Sequence, residues 1–148
     1  MIVRMPDAKM NFANFARSIV AGAMTSLKLG MDILAEENVK IDSLLGHGGY
    51  FKTPVSGQKM LAAALKTPVS VMETAGEGGP WGMALLAAYR VNRIEGETLE
   101  SYLNEKVFAS ANVSTEKPDD ADAAGLDAYT ARFVEALEAE KAAVAAMK

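Results

Sequence analysis

Gly46-His47-Gly48-Gly49-Tyr50-Phe51-Lys52-Thr53 carries the leading glycine, the gap and the Lys-Thr pair of a phosphate-binding P-loop, with one departure. The sixth position needs glycine so that successive main-chain N–H groups can wrap a phosphate. Phe51 stands there, which makes the lysine spacing a decoy. The dinucleotide fingerprint fails at the same residue, because Gly46-x-Gly48 is not followed by its third glycine. A second glycine-rich run, Gly76-Glu77-Gly78-Gly79, precedes Pro80. Each run follows a short apolar segment and leads into a helical pattern, and ligands of open α/β sheets bind at such places. Glycine lets a flat or charged ligand approach the main chain, and a helix N-terminus offers unpaired N–H groups with partial positive charge. Either run alone reads equally as a tight turn; their repetition favours a site at Gly46, His47, Gly48, Gly49, Gly78 and Gly79.

The other reactive side chains are sparse. His47 is the sole histidine, cysteine is absent, and no carboxylates cluster near it, so a metal site is not expected. A general-base role would need an orienting partner, and His47 reads as a loop-lining residue. Trp81 could stack on an aromatic ligand, but beside Met83, Leu85 and Leu86 it reads as core. Glu73 and Glu77 read as solvated loop carboxylates. No complete catalytic constellation is present, and no catalytic residue is assigned.

These turns need elements to hold them. Phe12, Phe15, Ala16, Ile19, Ala23, Leu27, Gly30, Met31 and Leu34 share one face of a long helix, which Asn11 or Asn14 can cap. That face is expected to be buried. The run 41–45 predicts a short strand ending at Gly46. Thr53-Pro54 supplies an N-cap type and a first helical residue, Met60 to Leu65 continues the helix, and Lys66-Thr67-Pro68 stops it. Val69-Ser70-Val71-Met72 predicts a second strand, and Pro80 opens an Ala- and Leu-rich helix to about Val91. Strand, glycine turn and helix thus occur twice. Two such units imply parallel strands joined by a right-handed crossover, and parallel sheets have more than two strands, covered on both faces. The expectation is an α/β fold that forms part of a larger domain, with its other strands upstream.

The 148 residues are half hydrophobic and 23% charged, which excludes disorder and, without cysteine, a disulfide scaffold. The sequence pI of about 5.0 leaves no basic footprint for nucleic acid or an anionic membrane. The most apolar stretch, 19–34, is interrupted by Lys28 and Asp32, so no membrane span is expected. Residues 1–7 do not read as a secretory signal, and a cytoplasmic protein is expected. Up to Arg93 there are 10 basic and 7 acidic residues; from Ile94 there are 5 and 12. The chain divides accordingly into 1–93, which carries the working surface, and 94–148, an acidic tail. In that tail a short helix is expected near 98–105 and a long one from about Asp122 to Met147, packing through Leu126, Tyr129, Phe133, Leu137 and Val144. Asn112-Val113-Ser114 matches a glycosylation sequon, inert in the cytoplasm.

At these residues the chain resembles the C-terminal domain of the FGGY family of carbohydrate kinases. Asn14-Phe15-Ala16-Arg17-Ser18-Ile19-Val20 resembles the latter part of a family signature. Leu45-Gly46-His47-Gly48-Gly49 with Thr53-Pro54 is similar to the family's strand, glycine turn and helix. Thr67-Pro68-Val69 resembles the start of its next strand, and Glu77-Gly78-Gly79-Pro80-Trp81-Gly82-Met83-Ala84 its following helix opening. The chain departs from the pattern at Ala21, His47 and Ala63. The resemblance, strongest to the xylulokinase branch, implies part of an actin-like, ribonuclease-H-like ATPase domain. It implies ATP as cofactor with Mg held mainly by an absent first domain, and a pentulose-like sugar bound there too. Gly46, Gly48 and Gly49 would then meet the adenosine and nearby phosphate, while Gly78 and Gly79 would border the adenine. The chain alone is expected to be inactive, because half a phosphoryl-transfer site lacks the positioned charges. A non-enzymatic nucleotide-binding member of the same superfamily and a helical interaction module are the alternatives, and an open sheet edge allows a homodimer.

Overall fold

The computed structural model describes residues 2–147, apart from the side chain of Glu77. Helix α1 spans Phe12–Glu36, capped by the Asn11 side chain, which accepts from the Asn14 N–H at 2.8 Å. Strand β1 is Leu44–Gly46 and β2 is Val69–Met72, with helix α2, Ser56–Leu65, between them. The two strands pair in parallel, Leu44 opposite Val69, as the strand–turn–helix pattern requires. Helix α3 follows at Gly78–Asn92.

The tail is not purely helical. After α4, Leu99–Tyr102, and a wider π turn at Leu103–Val107, residues Val113–Glu116 form β3, antiparallel to β2. The sheet order is β1-β2-β3, so the sequon region begins a third strand. Four residues with Ser114 and Thr115 side by side carry too little hydrophobic pattern to announce a strand; its partner supplies the pairing, including a 2.8 Å Ser70–Thr115 hydroxyl contact. Helix α5, Asp120–Ala146, starts behind an Asp119 cap and packs on α1 and α2.

The core lies around α2. Leu61, Ala62, Ala63 and Ala64 are all buried and meet Ala21 and Met24 of α1, Val69 of β2 and Leu126 of α5. Gln58, also on α2, is 3% exposed. Its amide donates to the Val69 and Ser114 carbonyls at 3.2 and 3.0 Å, and its oxygen accepts from the Ser114 hydroxyl at 3.3 Å. One buried side chain thereby joins α2, β2 and β3.

Four expectations are corrected. The α1 face predicted to be buried is exposed, and the opposite side, with Ala21, Met24 and Thr25, is packed. By length and hydropathy α1 would suffice to cross a bilayer; the interrupting Lys28 and Asp32 form an ion pair at 3.0 Å on the packed side. Thr53-Pro54 does not start α2. Pro54, Val55 and Ser56 instead make a γ-turn, with Ser56 N–H donating to the Pro54 carbonyl at 2.7 Å and Val55 at φ 67°, ψ −54°. Gly78 and Gly79 are not a loop before Pro80 but the first two residues of α3, where Pro80 still falls in the first turn that tolerates it. Trp81 is exposed, not core.

The γ-turn of this hand is rare and strained, and a β-branched residue at positive φ adds to the cost, of order 1–3 kcal/mol. Val55→Gly should relieve it, less the added chain entropy of glycine, raising the urea midpoint by the equivalent of about 1 kcal/mol. A second expectation concerns acid. The Lys106 ammonium, 2.6 Å from Glu97, together with the Ile94 N–H, holds the Glu97 carboxyl below the ordinary carboxylate range. Its contribution to stability is therefore complete above the unfolded-state value and fades as pH falls through the lower folded one. Glu97→Gln should lower amide protection across residues 94–108 at neutral pH and abolish the further loss of protection that the wild type shows on acidification, after correction for the intrinsic pH dependence of exchange.

Candidate functional site

The parallel pair places both glycine runs at the same end of the sheet, where β1 and β2 terminate. Gly46 closes β1, Gly48 follows at φ 100°, ψ 178°, and Gly49–Lys52 forms a 3-10 turn. That Gly48 conformation is open essentially only to glycine. On the second run, Ala75–Glu77 forms another 3-10 turn leading into α3. The two runs touch. Gly48 N–H donates to the Ala75 carbonyl at 2.7 Å. A Cβ on Gly78 would lie 3.0 Å from the His47 Cβ, and one on Gly76 3.1 Å from Cγ of Lys52. His47 thus rests on Gly78 and the Lys52 stem on Gly76, so all six predicted residues lie in one junction.

Within it the glycines do different work. A Cβ on Gly46 would fall 2.5 Å from the Phe51 ring. Phe51 therefore both breaks the P-loop pattern and occupies the space Gly46 leaves. In the same way Tyr50, in edge contact with Phe51 at 5.1 Å, covers Gly57, and burial pushes its phenol pKa up. Gly48's N–H is committed to Ala75, so it is not a phosphate donor in this arrangement. Gly48, Gly49 and Gly79 are nonetheless open, since a Cβ on any of them meets nothing within 4 Å. They are the positions at which a ligand can reach the main chain, and the N–H groups of Gly78 and Gly79 open the positive end of α3.

Gly79 also borders an apolar groove of about 420 Å³ between α3 and the tail, walled by Gly82, Met83, Leu86, Leu99, Leu103 and Phe108. Its size is that of a small-ligand pocket. Leu99, Leu103 and Phe108 were not singled out by sequence reasoning, since their spacing marks only a short amphipathic helix; the turn at Gly96, φ 78°, and the Tyr89 hydroxyl bonded to the Glu97 carbonyl at 2.7 Å fold them back on α3. On another side of the junction, a cleft of about 490 Å³ is lined by Phe51, Lys52, Glu73, Gly76, Asn112 and Ser114, and Asn112 donates to Glu73 across it. Glu73 is thus partnered, while the side chain of Glu77 lies outside the described residues. Trp81 does not line the groove. Among the described residues no three His, Cys, Asp or Glu side chains converge on a metal position. The arrangement offers a flat apolar slot, close main-chain approach and a helix N-terminus, and these bind rather than react.

The family model of the FGGY family of carbohydrate kinases, C-terminal domain, matches residues 2–91, which hold α1, both parallel strands, both glycine runs and nearly all of α3. No curated protein and no solved structure matches the chain.

The close fit at the junction makes a specific prediction. Gly46→Ala should destabilise the fold by about 1–3 kcal/mol through overpacking against Phe51. Gly46→Ala combined with Phe51→Leu should recover part of that loss in chemical denaturation, and Gly49→Ala alone should change stability by less than about 0.5 kcal/mol.

Proposed function

The chain belongs to the FGGY family of carbohydrate kinases, through its C-terminal domain, and from this premise we propose that it is the ATP-binding part of a kinase that phosphorylates a pentulose-like sugar. The family's C-terminal domain carries the actin-like ATPase fold, and the mixed α/β structure with its parallel β1-β2 pair accords with it. The observation that carries the nucleotide reading is the junction of the two glycine runs, locked by the 2.7 Å Gly48–Ala75 hydrogen bond beside an apolar groove that Gly79 borders.

The residues fit an adenosine moiety. The groove suits a flat base, Gly49 and Gly79 leave room for ribose and phosphate, and the first amides of α3 favour negative charge. Gly46 and Gly48 support this site indirectly, by accepting Phe51 and by making the turn. ATP supplies the transferable γ-phosphoryl group, and Mg²⁺ would accompany its phosphates with ligands from outside these residues. The chain's part is to bind and orient the nucleotide, while a hydroxyl-activating base and the sugar contacts come from elsewhere, so the chain alone should not turn over. Further strands would pair along the open edge of β1, since parallel strands are seldom so few. The absence of cysteine accords with a cytoplasmic enzyme. The xylulokinase branch is the favoured sugar class on the sequence resemblance alone.

Calorimetric titration with ATP and magnesium tests the site. Gly79→Val is the informative variant, because a Cβ there meets no protein atom within 4 Å and Gly79 borders the groove, whereas a change at Gly48 would strain the backbone. Weak binding by the wild type, reduced at least tenfold in Gly79→Val, is expected, a loss of about 1.4 kcal/mol. Equal binding by both proteins would remove the site from this groove. A complete enzyme that binds ATP but forms no sugar phosphate with any pentulose would instead favour a nucleotide-binding protein without kinase activity.

A further inference from the structure

The side chain of Glu97 is only 5% exposed and takes no part in the glycine junction. Burying a carboxylate is costly unless it is both paired and hydrogen-bonded, and Glu97 is both: the Lys106 ammonium lies 2.6 Å away and the Ile94 N–H donates at 3.2 Å. The same ammonium stands 5.3 Å from the centre of the Tyr102 ring, which is buried. Tyr102 meets Tyr89 of α3 edge-on at 5.4 Å, and the Arg93 guanidinium lies 5.6 Å over the Tyr89 ring. The Tyr89 hydroxyl in turn donates to the Glu97 carbonyl. The contacts close on themselves, from Glu97 through Lys106, Tyr102 and Tyr89 back to Glu97.

The tail wall of the groove hangs on this closed cluster. Helix α3 has no buried residue, and α4 and the π turn come near its backbone at few points. What holds Leu99, Leu103 and Phe108 opposite α3 is therefore side-chain contact rather than close helix packing. The π turn serves the same wall. Its Phe108 N–H donates to the Leu103 carbonyl, five residues back, at 2.8 Å. In an α-helix residues five apart point about 140° away from each other. The wider turn brings Leu103 and Phe108 together onto the groove and leaves Lys106 to reach Glu97.

We propose that Glu97 and Lys106 are positioning residues for the ligand of the groove: their ion pair, carried through the two tyrosines, sets the distance at which Leu99, Leu103 and Phe108 face α3, and so the width of the slot that grips a flat ring. That the ring is the base of a nucleotide rests on the function proposed above. Neither Glu97 nor Lys106 lines the groove, so both act through its wall. An apolar slot grips by fit, and a gap of roughly 0.5–1 Å forfeits a quarter to a half of the dispersion attraction at each contact. A wall free to move also costs the ligand the entropy of fixing it. Residues 94–108 lie beyond the family match, which ends at residue 91, so the fit is set by this chain's own tail.

Because the chain has no cysteine, two can be introduced for labelling. Spin labels on Ala87→Cys in α3 and Asn104→Cys in the π turn, both exposed, should give one narrow distance distribution by pulsed electron resonance in the full chain. Lys106→Met, which keeps the length of the stem and removes the ammonium from a partly exposed position, should broaden it, and Lys106→Arg should keep it narrow. In calorimetric titration of the unlabelled chain, Lys106→Met should weaken adenosine and ATP by the same factor, about three- to tenfold, while Lys106→Arg stays within about twofold of the wild type. A distribution as narrow in Lys106→Met as in the wild type overturns the proposal, and so does a broadened one with affinity for both ligands unchanged. A loss confined to ATP also overturns it, because the ammonium would then be acting on the phosphates directly. A wild type that binds neither ligand removes the nucleotide reading instead, and broadening in Lys106→Met alone would still support the pair as what sets the wall.

Discussion

Close approach to α2 is the constraint on which the rest of the structure depends. Between Leu61 and Ala64 every residue is buried, and three of those four are alanine. Side chains this short let α1, α5 and β2 stand around one ten-residue helix with Val69 fully enclosed. Larger residues would force the surrounding elements apart, since interiors are packed near crystalline density. Gln58 is the polar counterpart: buried beside the alanines, it answers two strand carbonyls that the sheet leaves available, and so holds β3 to the unit that carries the first glycine run. The helix also fixes direction. Lys66, at φ 52°, ends α2 with its N–H on the Ala62 carbonyl and its ammonium 2.7 Å from Asp127 of α5, after which the chain turns into β2.

The glycine junction is built outward from that base. Its glycines divide by what their missing side chain admits. Gly46, Gly57, Gly76 and Gly78 admit neighbouring side chains of the same protein, Gly48 admits a backbone turn, and Gly48, Gly49 and Gly79 all leave open space. The open positions can meet a ligand directly, while the contacts at Gly76 and Gly78 and the Gly48–Ala75 hydrogen bond hold the two runs together. In a family whose reaction depends on positioning phosphates and neutralising their charge, a rigid junction of this kind is a natural contribution from one domain.

The two sides of α1 explain why a helix of such apolar character is tolerated. Its ion pairs and its small packed residues face α2 and α5, where the Tyr129 hydroxyl reaches the Ser18 carbonyl at 3.2 Å and burial raises that phenol's pKa. The other side carries most of the large residues. A helix apolar around most of its circumference belongs between two layers, and this chain supplies one of them.

What the amino-acid sequence determined by itself was local. The alternation of strand, glycine turn and helix, the parallel pairing it implies, the Asn11 cap and the limits of β2 follow from periodicity and turn chemistry acting over a few residues. The resemblance to the carbohydrate kinases rested on the same segments, and the family match covers them. What only the tertiary structure decided was which face, which partner and which glycine. Periodicity gives α1 an apolar stripe but not the side that packs, because Ala21 and Thr25 win their places by shape against α2 and α5. Val113–Glu116 has no pattern of its own and becomes a strand through Gln58 and the edge of β2. Gly46 and Gly79 are indistinguishable as letters. One is filled by Phe51 and the other is open, because steric fit is a property of residues distant in sequence brought to within van der Waals reach.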